Sequence, residues 1–141
     1  MGRVGANHYL LKKVKKKMTF QETLQQLRIL CSNFPQARKK IIEAKANGMA
    51  TIQTLNGEIG GFVEFDPGSK SKQERFENVI PLIESGNVFL PDESIDPTIE
   101  DDIEEMSTKA DNEGNPLYPV PVLYNKEQLG KIYRKLILSN N

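Results

Sequence analysis

The sequence predicts an α/β domain, and three observations carry that class. Short apolar runs of strand length ("NHYLLKKV", "KIIEAKA", "FVEF", "NVFLP") alternate with segments whose apolar residues recur at helical spacing. Turn signals built from Gly, Pro and Asn-Gly fall between them. The chain has 141 residues, 38% apolar and 27% charged, an ordinary size and make-up for one soluble domain. Alternation of this kind builds a sheet flanked by helices.

Taken in order, residues 7–14 read as a first strand and "KKKM" turns out of it. "MTFQETLQQLRILCSNF" reads as a helix with a capping box, in which Thr19 caps the first turn and Glu22 reaches back. Phe20, Leu24, Leu27 and Cys31 share its apolar face, which assigns Cys31 to packing. "KIIEAKA" reads as a short buried strand broken by Asn47-Gly48, and residues 49–59 as a modest helix ended by Gly60-Gly61. "FVEF" is a strand, and Asp66-Pro67-Gly68 is a turn. Residues 69–86 form a helix kinked at Pro81, followed by a strand over 87–91. Asp96 caps a helix with Pro97 at its first position. Residues 109–122 read as a loop with three prolines, and 125–138 as a final amphipathic helix. The first strand begins almost at residue 1, and three or four short strands make a thin sheet. Both points lead us to expect a chain that starts partway into its fold.

Composition excludes several classes. One Cys and one His leave no disulfide framework and no zinc site built mainly from those residues. Any metal would be a hard cation held by carboxylates. No apolar run approaches the roughly 18 residues of a membrane span, and the N-terminus has the wrong order of charge and apolarity for a secretory signal. No Gly-x-x-x-x-Gly-Lys-Ser/Thr motif is present, so an ATPase motor is excluded. Net charge is zero but segregated: residues 1–40 hold ten Lys/Arg against one acid, and residues 83–113 eleven Asp/Glu against one base. Such halves either attract each other or, on the basic side, meet a phosphate backbone.

The stretch "IIEAKANG" carries the chemistry. A Glu at the carboxyl end of a strand, followed by a turn into a helix, stands where ligands gather in open α/β sheets. Metal-dependent phosphodiester cleavage needs carboxylates at such positions.

The run "IIEAKANGMATIQTLNGEIGGFVEFDPGSKSKQERFENVIPLIESGNVFLP" resembles the C-terminal nuclease domain of the large terminase subunit of tailed bacteriophages. The motif residues are Glu43, Lys45, Ala46, Asn47 and Gly48, then Gly68, Lys70 and Arg75, then Gly86, Asn87, Val88, Leu90 and Pro91. The resemblance spans about residues 2–106, and the chain is expected to be a single domain whose residues 107–141 are a divergent loop and C-terminal helix. It implies a ribonuclease H-like mixed sheet flanked by helices and lacking the first strand. It also implies metal-dependent endonucleolytic cleavage of double-stranded DNA during phage genome packaging, with Mg²⁺ or Mn²⁺ as cofactor. The implied partners are double-stranded DNA and other terminase or portal components, without a membrane, in the cytoplasm of the bacterial host.

By this resemblance Glu43 is a metal ligand and catalytic residue. The family's first-strand Asp would fall before residue 1. For the third acidic motif, Asp101 and Asp102 form a pair, but "DPTIEDDIEEM" also reads as an exposed helix face; Asp111 lies nearer the expected place in an unmatched context. Lys45, Lys70, Lys72 and Arg75, with Lys15, Lys16 and Lys17, are candidate DNA contacts; Lys12 and Lys13 belong to the same basic run. The alternative function is a non-catalytic prophage remnant that keeps the fold and binds DNA or a partner chain without cleaving.

Overall fold

A hairpin opens the chain. In the structure, a computed structural model describing residues 1–107, 113 and 119–139, β1 (Gly2–Val4) and β2 (Asn7–Tyr9) pair antiparallel around a tight turn at Gly5. The strand expected over 7–14 therefore ends at Tyr9. Leu10 adds one bond to the ladder through its N–H to Phe89 O (2.9 Å), Leu11 packs into the core, and Lys13 turns toward acids further along the chain. The remaining elements are α1 (Phe20–Asn33), β3 (Lys40–Glu43), α2 (Ala46–Leu55), β4 (Phe62–Phe65), α3 (Lys72–Glu77), α4 (Ile80–Glu84), β5 (Val88–Pro91), α5 (Ile99–Ser107), β6 (Val122–Tyr124) and α6 (Lys126–Ser139). The class is mixed α/β with a mixed sheet flanked by helices.

The described residues gather into two compact units: Met1–Lys13 with the described part of Ser71–Asn141, and Val14–Lys70. In the first, a four-stranded sheet runs β1-β2-β5-β6, with β2, β5 and β6 parallel. Tyr9 stacks on its register partner Phe89 (4.8 Å between centroids) and meets Tyr124 edge-on (6.3 Å), both favoured aromatic geometries. Ile132, Leu129 and Leu136 of α6 close this face. The buried Tyr124 hydroxyl donates to Leu10 O, and burial, with a smaller contribution from Tyr133, pushes its pKa up to about 12.

Strand β6 was not expected: Val122 fell in the proline-rich loop and Leu123 and Tyr124 were assigned no element, yet the three residues form one edge of the four-stranded sheet. The kinked helix is two helices. Pro81 has no N–H to give to Glu77, so the chain stops at Asn78 and restarts with Pro81 in the first turn of α4. Asp96 heads a turn and not the helix itself: its carboxylate accepts from Thr98 N (3.0 Å) and Thr98 Oγ1 (2.7 Å), and α5 begins at Ile99.

The second unit holds α1, α2 and the parallel pair β3–β4. Its capping box is present: Glu22 N–H donates to Thr19 Oγ1, and Thr19 N–H to Glu22. Leu24 of α1 and Leu55 of α2 are fully buried, and Arg28 makes a two-pronged ion pair with Glu58 beyond α2 (2.9 and 3.0 Å). Strand β3 is less buried than expected. Two strands cover little: Ile41 is 68% exposed, and Val63 and Phe65 share its open face. Helix α2 ends at Leu55, where the N–H groups of Glu58 and Ile59 both return to Leu55 O, and not at Gly60-Gly61.

Candidate functional site

The site is built where β3 ends. Parallel pairing with β4 fixes the strand: Lys40 N donates to Gly61 O and Ala44 N to Phe65 O, each at 2.8 Å. Gly61 has φ +84°, and a Cβ there would stand 1.9 Å from Arg38 O, so only glycine allows the two strands to start together. Glu43 is the last strand residue, half-buried, facing Phe65 in register.

Lys45, extended, caps α2, which starts at Ala46. Asn47-Gly48 was expected to break the chain ahead of the helix; it lies instead inside the first turn. The reason is space, since a Cβ on Gly48 would meet Glu43 O at 2.1 Å. The helix thus begins against the carbonyl of the strand's last residue. Lys45 Nζ lies 2.9 Å from Glu43 Oε1, and the lysine is 70% exposed. The Glu-x-Lys spacing folds the cation back onto the carboxylate.

The other candidates divide between the two units. Lys15, Lys16, Lys17 and Lys70 are exposed and share the unit of Glu43 and Lys45. Lys16 helps to hold the Glu22 carboxyl below its usual range, after the larger effects of the Thr19 backbone and side-chain hydrogen bonds. Lys72 opens α3 and is exposed; Arg75 lies in the same helix, half-buried, and its Nε is buried without a hydrogen-bond partner. Ser71 and Glu74 box the start of α3, through Glu74 N–H to Ser71 Oγ (3.1 Å) and Ser71 N–H to Glu74 Oε2 (2.6 Å).

Asp101 and Asp102 lie in the first turn of α5, in the unit that does not contain Glu43. Asp101 is exposed; Asp102 accepts from Lys13 Nζ, which also lies 3.7 Å from Asp96 Oδ2. Asp111 lies outside the described residues. Among the described residues, no group of three or more His, Cys, Asp or Glu side chains is placed to hold a metal ion.

The sequence reading put Lys13 with the DNA contacts, whereas it serves as a clasp on Asp96 and Asp102. The signal was the charge segregation, whose alternative meaning was attraction between the halves. The Asp96 carboxyl is held below the usual carboxylate range, chiefly by the Thr98 hydroxyl, with Lys13 adding to it.

No described helix is long and apolar enough to cross a membrane. Set against known proteins, the chain matches no protein-family model, no curated protein and no solved structure.

Proposed function

We propose that the chain is part of a phage or prophage terminase large-subunit nuclease, ribonuclease H-like in fold, whose substrate is double-stranded DNA. One observation carries the reading. Glu43 closes a strand in a parallel pair, Lys45 turns back to it, and Gly48 lets α2 start against its carbonyl. That is the stereochemistry a Glu-x-Lys-Ala-Asn-Gly turn needs if its carboxylate is to stand at a sheet edge. The exposed Lys15, Lys16, Lys17, Lys70 and Lys72 support a sequence-independent grip on phosphates. Terminase or portal components are the protein partners that follow from this reading.

Mg²⁺ or Mn²⁺ is the cofactor that the resemblance implies, and a hard cation takes several oxygen ligands. The described donors do not fit a two-metal centre, because no further pair of acids joins Glu43 to make a group of three. A second reading therefore has its own observation: Lys45 lies on Glu43 and Lys13 on Asp102, as in a module that binds DNA and does not cut it. Plasmid nicking in Mn²⁺, wild type against Glu43→Ala, separates the two. Nicking lost in the variant supports cleavage, with the missing ligands outside the described residues. No nicking in either protein sinks cleavage for this chain. DNA binding that weakens about 100-fold between roughly 50 and 200 mM salt, as four phosphate contacts require, then supports the binding module. Absence of binding as well removes both readings.

A further inference from the structure

Strand β3 has β4 on one side and, among the described residues, no strand on the other. Lys40 and Ala44 direct their N–H groups at β4. By the alternation of a strand, the backbone of Ile41 is directed away from it. The Ile41 side chain is 68% exposed, and Val63 and Phe65, on the same face, are 42% and 44% exposed. Around Ile41 this edge has no strand partner among the described residues, while the Glu43 carbonyl accepts from Lys45 N–H (2.8 Å); an open edge beside an apolar face is a template for another strand.

The residues of that edge say which strand. Lys39, Ile41 and Glu43 alternate, so an extended backbone places them on one face. A second copy running antiparallel, related by a two-fold axis through Ile41, sets Ile41 against Ile41 and each Lys39 against Glu43 of the other copy. On the opposite face Lys40 meets Ile42, so no like charges are opposed. A parallel arrangement in register would instead set Lys39 on Lys39 and Glu43 on Glu43. We propose that β3 is a self-association edge, pairing antiparallel with β3 of a second copy to make one continuous sheet in the order β4-β3-β3-β4. The interface is isologous, as a closed dimer requires. It turns a marginal two-stranded pair into four strands. Glu43 keeps Lys45 beside it and gains a second cation. The inference stands on the strand's edge and charge pattern and does not rest on the nuclease reading.

Sedimentation velocity on the full chain over a concentration series tests it. The wild type is expected to show a concentration-dependent species of twice the chain mass. Ile41→Lys and Lys39→Glu each weaken it roughly tenfold or more, because symmetry changes two contacts at once. The double variant Lys39→Glu/Glu43→Lys, which restores opposite charges, recovers it. Both single substitutions are at exposed positions, and circular dichroism checks the fold; if Ile41→Lys unfolds, Lys39→Glu carries the comparison. A monomer across the whole series overturns the proposal. So does a dimer that neither single substitution weakens, or one that the double variant does not recover.

Discussion

Gly48 has no room for a side chain, and its neighbour along the same stretch, Gly57, has nothing within 4 Å of the place a Cβ would take. The two make a matched pair. Gly48→Ala is expected to destabilise by about 1–3 kcal/mol through overpacking against Glu43 O, despite the better helix propensity of Ala. Gly57→Ala is expected to be neutral or to stabilise by up to about 1 kcal/mol, because its cost falls on the unfolded chain. Thermal melts of the two variants side by side check this. Tyr124 offers a residue-scale test in pH. Its folded pKa, about 12, lies above the unfolded value near 10. The associated stability is full below pH about 10 and is lost as pH rises toward 12. Tyr124→Phe is expected to cost about 1–2 kcal/mol near neutrality, by stranding Leu10 O, and to flatten the alkaline limb of the stability profile. An alkaline limb unchanged in the variant would assign it to other groups.

At the scale of elements, the start of α1 was the most legible part of the fold. Thr19 with Glu22 is a local signal, and it closes as a reciprocal pair of hydrogen bonds. Thr19→Ala is accordingly expected to cost about 1 kcal/mol, measured by denaturant midpoint at constant slope. "FVEF" and "NVFLP" were legible to within one residue, but the strands that begin at Asn7 and Lys40 are shorter than expected, because pairing partners fix their ends. "NHYLLKKV" has apolar residues enough for a longer strand, yet its ladder on β5 ends ahead of Pro91, which has no N–H to give, and Lys13 is drawn to the acids around α5. The three residues of β6 were hidden by prolines, and only the tertiary place of Tyr124 explains them. At the site, the turn from Glu43 into α2 was readable as a unit, but the partners of its carboxylate and of Asp102 were not. Both are met by lysines whose roles depend on where the chain goes next. The Asp96 turn, bonded to Thr98 and faced by Lys13, has an acid signature. Asp96 is depressed in the folded state, so its contribution is present above pH about 4 and lost as pH falls through the folded pKa. Asp96→Asn should remove that part of the acid dependence, and an unchanged acid limb in the variant would deny the Asp96 carboxylate, with its Thr98 and Lys13 partners, a role in stability.

For the molecule as a whole, the division into two units sets an experiment. All four tyrosines lie outside Val14–Lys70, and the chain has no tryptophan. Tyrosine fluorescence therefore reports the unit with the four-stranded sheet, while far-ultraviolet circular dichroism reports both. Leu24→Ala, in the buried heart of the other unit, is expected to cost that unit about 2–5 kcal/mol. If the units open separately, the dichroism transition moves to lower denaturant ahead of the fluorescence transition. Coincident transitions in the variant would show that they unfold as one.

The interrupted course of the first unit also imposes an order on synthesis. A ribosome delivers β1 and β2 well before their sheet partners β5 and β6, which are encoded at residues 88–91 and 122–124. The stretch from Val14 to Lys70 is contiguous and all of it emerges in between. Domains fold as units while the chain is made. The β1–β2 hairpin therefore waits, unpaired at its β2 edge, while the unit that interrupts it is completed. Strands made early in this stretch are completed only by strands made much later.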